Sequence, residues 1–172
     1  NHGESFTFIV NIHDGYSATD NFKVYVNDVE VSLCSDSSYT IDSVEGQLVI
    51  TVEGVADVTA PNGTISVYEH KWENEFITPI IFNEFFVKPV HKVTIFAEDS
   101  GSGVKKISYF VTDVELTLSD VEMIPEALWN EYTESFEVVQ NDTGLIVYAR
   151  VEDNDNNIRY ISSNGLSFIV EK

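Results

Sequence analysis

Cysteine and basic residues are scarce in this sequence. Cys34 is the single cysteine among 172 residues, which excludes an intramolecular disulfide framework and a cysteine-rich zinc site. Nine Lys and Arg stand against 29 Asp and Glu, a formal net charge of −20. Nucleic acids and anionic lipids are bound through basic footprints, so this charge argues against either as a partner. No apolar run approaches the roughly 18 residues of a membrane span, so membrane insertion is not expected.

The two ends of the sequence lack the pattern of a targeting segment. A secretory signal places a basic and then an apolar stretch at the N-terminus. Residues 1–5 are polar and lead directly into a strand pattern, and residues 168–172 read as the end of a strand. We therefore expect an intracellular protein or an excised piece of a longer one, and the C-terminus favours the piece.

Apolar and polar residues alternate with a period of two through most of the chain. This pattern predicts half-buried β-strands, and 43% apolar residues are enough to form a core. Residues 22–33, with Asn27-Asp28 at their centre, predict a β-hairpin with a two-residue turn. The expected fold class is all-β, with tandem β-sandwich modules.

A module boundary is expected where the strand pattern breaks, over residues 56–63. This stretch combines small residues with Pro61 and an Asn-Gly turn. We predict a short all-β repeat module over residues 1–56 and a larger β-sandwich over 57–172. Because 56 residues bury only a small core, the first module should be marginally stable alone.

The second module departs from the strand pattern once. Strand segments recur every 8–14 residues with turn residues between them, which is typical of an antiparallel sandwich. Pro125 and the helix-forming residues after it predict one short helix or helical turn near 125–132.

Three stretches of the second module resemble the bacterial immunoglobulin-like repeats of Gram-positive cell-surface and secreted proteins. They are residues 57–65, residues 95–104 with 107–109, and residues 144–153 with Asn157. The last turn of such repeats usually has a small residue and a glycine where this sequence has Asp155 and Asn156. The first module resembles, more loosely, the short all-β repeat that often precedes such a unit.

The resemblance implies an extracellular setting, secreted or anchored to the cell wall. It also implies no catalytic residues, because these repeats serve as spacers, stalks and sometimes ligand-binding tips. With 29 acidic residues, chance carboxylate pairs are expected, so they are weak evidence for glycosidase chemistry. We expect no enzyme activity.

Alternating oxygen-bearing residues make residues 153–157 a candidate calcium site. Asp153, Asp155 and Asn157 offer hard oxygen ligands at positions 1, 3 and 5, and Asp99 could join them from another loop. The residues that follow do not fit an EF-hand. The alternative is a solvated hairpin turn in which Asp and Asn supply unusual backbone angles. No other cofactor is expected.

The two tryptophans are the candidate ligand-binding residues. Exposed aromatic rings stack on sugar faces and are favoured at interfaces. Trp72 has a polar sequence context and is the better candidate, whereas Trp129 lies in the predicted helix. The alternative is that both rings close the ends of the sandwich core.

These patterns lead to one main functional interpretation and two others. The main one is a structural spacer within a larger extracellular bacterial surface protein, monomeric and in contact with neighbouring domains of the same chain. The second is an adhesive module that binds a host or dietary glycan or protein. The third is an accessory domain of a surface enzyme.

Overall fold

A computed structural model of the chain describes residues 2–69, 90–139 and 144–170. Within these residues most of the structure is antiparallel β-strand, which confirms the predicted all-β class. The chain divides into two compact units, residues 1–59 and 60–172. The sequence placed the module boundary between residues 56 and 57, and the last strand of the first unit runs to Asp57.

The first unit contains five short strands in two small sheets. These strands are β1 (Phe6–Phe8), β2 (Tyr16–Val26), β3 (Val29–Val31), β4 (Tyr39–Ile41) and β5 (Ile50–Asp57). One sheet pairs β1 with β4, and the other has the order β3-β2-β5, all antiparallel.

The hairpin predicted over residues 22–33 is confirmed around its turn. Asn27 and Asp28 have positive φ angles of 48° and 64° and place Val26 opposite Val29. Positive φ at both turn residues matches the twist of the flanking strands, and Asn and Asp tolerate this geometry. Local sequence chemistry therefore fixes the register of β2 and β3.

The second unit contains eight strands among its described residues. They are β6 (Asn62–Glu69), β7 (Val90–Glu98), β8 (Val104–Thr112), β9 (Asn130–Glu131), β10 (Phe136–Val139), β11 (Ile146–Asp153), β12 (Ile158–Ser162) and β13 (Ser167–Ile169). They form a three-stranded sheet, β10-β7-β6, and a five-stranded sheet, β13-β12-β11-β8-β9.

Both sheets of the second unit contribute to one hydrophobic core. Val93 and Ile95 of β7 share a buried cluster with Val147, Ala149 and Val151 of β11. The alternation predicted around Val93 and Ile95 turns these β7 side chains inward, where the β11 side chains meet them from the opposite sheet. The turns between strands lie outside this core, at the ends of the unit, and carry polar side chains.

The short helix expected near 125–132 is not confirmed over that range. A five-residue helix, α1, lies earlier, at Leu118–Glu122, and Glu126–Leu128 form a single 3-10 turn. β9 follows at once, with Asn130 paired to Tyr109 of β8. Sheet pairing overrides the helix propensity of this segment, because propensity is a weak preference that tertiary contacts outweigh.

The segment between β8 and β9 packs over a second, smaller apolar cluster. Val121 of α1, Tyr148 of β11 and Tyr160 of β12 are its buried members, and Trp129 packs against them. Among the described residues, no helix is long and apolar enough to cross a membrane.

Candidate functional site

The predicted calcium residues lie at one end of the second unit, where β7 meets β8 and β11 meets β12. Asp99 follows β7 directly, and its Oδ2 accepts hydrogen bonds from the backbone N–H groups of Gly101 and Gly103 at 3.1 and 2.7 Å. Gly103 has a φ of +83°, a conformation that L side chains rarely adopt. The Asp99 carboxylate therefore holds its own loop in shape.

The second loop is built around the last residue of β11. Asp153 is completely buried, and its two carboxylate oxygens accept from the backbone N–H and the side-chain amide of Asn157, both at 2.7 Å. Asn156 has a φ of 64° at the position where the resembling repeats have glycine. Asparagine tolerates this left-handed geometry, so the departure from the repeat pattern leaves the turn intact.

Asn154 and Asp155 join the two loops. The Asn154 side-chain amide donates to Ser102 O at 2.7 Å and to Gly103 O at 3.1 Å. The backbone N–H of Asp155 donates to Ser102 Oγ at 3.2 Å. Both turns thus lie at the same end of the unit, a question that the sequence left open.

Asp99 and Asp153 bring their carboxylates close together at this end. One oxygen of each lies within 4.8 Å of the other. Asn157 is buried beside Asp153, and Asp155 is half-buried in the connecting turn. Carboxylate oxygens suit calcium, but those of Asp153 and Oδ2 of Asp99 already accept hydrogen bonds within the unit. Calcium binding stays a prediction.

Lys105 is a polar contact of this end that the sequence did not single out. Its Nζ donates to Glu152 Oε1 at 2.6 Å and to Asn156 Oδ1 at 2.7 Å. Lys105 follows the first residue of β8, so its side chain links that strand to the 153–157 turn. Predicting this contact would have required the pairing register of β8 with β11, which the sequence pattern does not give.

Trp129 lies in an aromatic cluster on the outer side of the five-stranded sheet. Its ring centroid is 5.8 Å from that of Tyr160 and 6.3 Å from that of Phe110. The Arg150 guanidinium lies over the ring, 5.7 Å from its centroid. The half-buried Trp129 is therefore one layer of a packed cluster that is separate from the core between the sheets, and its role in ligand binding stays a prediction. Trp72 lies outside the described residues.

Glu126 fixes the guanidinium that covers Trp129. Arg150 donates two hydrogen bonds to its carboxylate, at 2.7 and 3.0 Å, and Lys106 Nζ lies 3.6 Å from Oε1. The hydrogen bond from Arg150 is the main cause that lowers the pKa of Glu126 below its ordinary value. Burial is the main cause that raises the pKa of Tyr160.

No protein-family model, curated protein or solved structure that was compared with this chain matches it.

Proposed function

We propose that the chain is a non-catalytic spacer of an extracellular, cell-wall-anchored or secreted bacterial surface protein. In this proposal the two units are tandem β-sandwich modules, the second of the immunoglobulin-like kind. The spacer would hold a neighbouring domain of the same chain away from the cell wall.

One observation carries the proposal: the polar side chains at the turn end of the second unit bind the loops of that unit to one another. Asp99 organises the first loop, Asp153 and Asn157 organise the second, and Asn154 joins the two. Loops tied in this way resist local opening, which a spacer under mechanical load requires.

The charge of the chain supports the same role. A net charge of −20 keeps a protein soluble and opposes self-association, so neighbouring copies on a surface would remain separate. The alternative from the sequence, a carbohydrate- or protein-binding accessory module, has its support in the first unit, where apolar side chains are exposed.

A surface-display experiment tests the spacer proposal. The chain is placed between a reporter domain and a wall anchor on a Gram-positive cell, and binding of a bulky antibody to the reporter is measured. We expect antibody binding to fall when the 172 residues are deleted, and to recover when an unrelated β-sandwich pair of equal length replaces them. Failure of the unrelated pair to restore binding would show that more than length is required and would contradict the proposal.

A further inference from the structure

A groove in the first unit is lined by more apolar side chains than a solvated turn region needs. Its volume is about 360 Å³, within the range of roughly 300–1,000 Å³ typical of ligand pockets. The apolar lining comes from Val26, Val29, Val31, Ile41 and Leu48. Val29 is 66% exposed, so the groove opens to solvent.

Two strand edges border the groove. Val29 and Val31 belong to β3, which lies at the edge of its sheet, and Ile41 belongs to β4, whose described partner is β1 alone. Edge strands present backbone N–H and C=O groups that can pair with an added strand. An extended chain laid between β3 and β4 would therefore find both apolar contacts and backbone partners.

The wall of the groove beyond the hairpin turn is held in place before any partner arrives. The Asn27 backbone N–H donates to Val49 O at 2.9 Å, and its side-chain amide donates to Gln47 O at 3.2 Å. The Val49 N–H donates back to Asn27 Oδ1 at 2.8 Å. A groove with a preformed wall loses less conformational freedom on binding.

Acidic residues set the charge that a partner must carry. Glu45 lines the groove, with its carboxylate 3.2 Å from His2 Nδ1, and the exposed Asp28 and Asp42 adjoin lining residues in the chain. Glu30 also adjoins the lining, but its carboxylate is paired with Lys23 Nζ at 2.9 Å. Residues 1–59 contain ten Asp and Glu but only one Lys or Arg, which is Lys23. A second copy of this unit would carry the same negative charge and be repelled, whereas a cationic partner would be attracted.

We propose that this groove binds an extended, cationic segment of a partner protein, with aliphatic side chains at alternate positions and Lys or Arg between them. The aliphatic lining suits aliphatic side chains, and among the described residues it includes no aromatic ring on which a sugar face could stack. The alternate side chains would enter the groove, and the basic ones would face the acidic rim. The proposal concerns the first unit and goes beyond the spacer role.

The test uses the whole chain and two synthetic heptapeptides of alternating residues, one of Lys and Val and one of Glu and Val. Binding is followed by amide chemical shifts in NMR and by calorimetry. We expect the Lys-Val peptide to bind, to shift amides of residues 29–31 and 39–41, and to bind more weakly as salt increases. We expect the Glu-Val peptide not to bind.

A matched pair of variants separates the groove from general charge attraction. Val29→Lys places a cation in the groove, and Val55→Lys makes the same change at a 42%-exposed valine of β5 that does not line it. We expect Val29→Lys to weaken binding of the Lys-Val peptide at least about tenfold and Val55→Lys to leave it nearly unchanged. Thermal melts of both variants check that the unit stays folded.

Three outcomes would overturn the proposal. One is no binding of the Lys-Val peptide at millimolar concentration, and another is equal weakening by the two variants, which would mean charge attraction alone. The third is self-association of the chain in sedimentation that Val29→Lys abolishes, because the occupant would then be a second copy.

Discussion

The two units of this chain differ in how many apolar side chains each of them buries. Among the described residues, the first unit buries three apolar side chains, those of Val24, Val26 and Tyr39. The second buries nine, drawn from both of its sheets and from α1: Val93, Ile95, Val121, Val147, Tyr148, Ala149, Val151, Tyr160 and Ile161. Within the same described ranges, the first unit leaves ten large apolar side chains exposed, against seven in the larger second unit.

The difference follows from chain length and has a functional consequence. A unit of 59 residues has too much surface for its volume to bury most of its apolar side chains, whereas one of 113 residues can enclose a larger share of them between two sheets. The larger unit therefore suits a load-bearing role, and the smaller one has apolar surface left for a partner.

The largest expected effect comes from the core of the second unit. Ile161 is 4% exposed within the shared core, and Ile161→Ala should reduce the free energy of unfolding by about 2–5 kcal/mol. The matched change in the first unit, Ile50→Ala, affects a side chain that is 40% exposed and should cost about 1 kcal/mol or less. Urea unfolding of each variant measures both values. Equal losses would remove the contrast between the two cores.

The next effect comes from a buried carboxylate. Asp153→Ala leaves the backbone N–H and side-chain amide of Asn157 without their acceptor and should cost about 2–3 kcal/mol. Asp36 of the first unit makes a similar turn, accepting from the N–H and hydroxyl of Ser38, but it is exposed to solvent. We expect a smaller loss for Asp36→Ala, because water replaces the missing acceptor.

Calcium provides a third comparison. At ten times its dissociation constant, a bound ion adds about 1.4 kcal/mol to the free energy of unfolding. We expect calcium to raise the melting temperature of the second unit above its value in EDTA at equal ionic strength, because a cation offsets the repulsion between Asp99 and Asp153. Asp99→Asn should abolish the rise.

The matched control for calcium is Asp113→Asn. Asp113 is an exposed carboxylate just beyond β8, at the opposite end of that strand from the Asp99 loop. The calcium effect should persist in this variant. If the parent chain melts at the same temperature in calcium and in EDTA, the calcium prediction is wrong. The role of Asp99 and Asp153 would then be the hydrogen bonds within their loops.

Local patterns predicted much of the fold because their causes are local. The alternation around Val93 and Ile95 gave the strand and its buried face, and Asn27-Asp28 gave the hairpin turn. The segment after Pro125 forms only a 3-10 turn at Glu126–Leu128 before it pairs with β8, and that pairing depends on residues about twenty positions away in the chain. Sequence periodicity carries no information about such a pairing.

The candidate site was predictable in its residue types but not in its geometry. The alternation of Asp153, Asp155 and Asn157 identified a turn rich in oxygen ligands, and the structure places Asp99 beside it. Lys105 and the groove in the first unit were missed. The Lys105 contact depends on the strand register. The groove depends on which apolar side chains the small core of the first unit leaves exposed. Composition reveals neither.

The smallest effect on stability should come from the Glu126–Arg150 ion pair over Trp129. Its dependence on pH and on salt distinguishes it from the Asp36–Ser38 hydrogen bond of the first unit. The pKa of Glu126 is lowered from its ordinary 4.5, chiefly by the hydrogen bond from Arg150. Its contribution to stability is therefore fully present above pH 4.5 and is lost as the pH falls through the lower folded-state pKa.

Glu126→Gln should therefore destabilise the second unit at neutral pH, and the difference from the parent chain should shrink as the pH falls below 4.5 and through the lowered folded-state pKa. The pKa of Asp36 is lowered by hydrogen bonds from Ser38, a neutral partner. High salt should consequently reduce the effect of Glu126→Gln, because its partner is charged, and leave that of Asp36→Asn nearly unchanged. Unfolding followed by Trp129 fluorescence in a Trp72→Phe background measures the effect of Glu126→Gln. Unfolding followed by far-UV circular dichroism measures the effect of Asp36→Asn. If salt reduced both effects equally, the Glu126 contribution would not depend on the Arg150 charge.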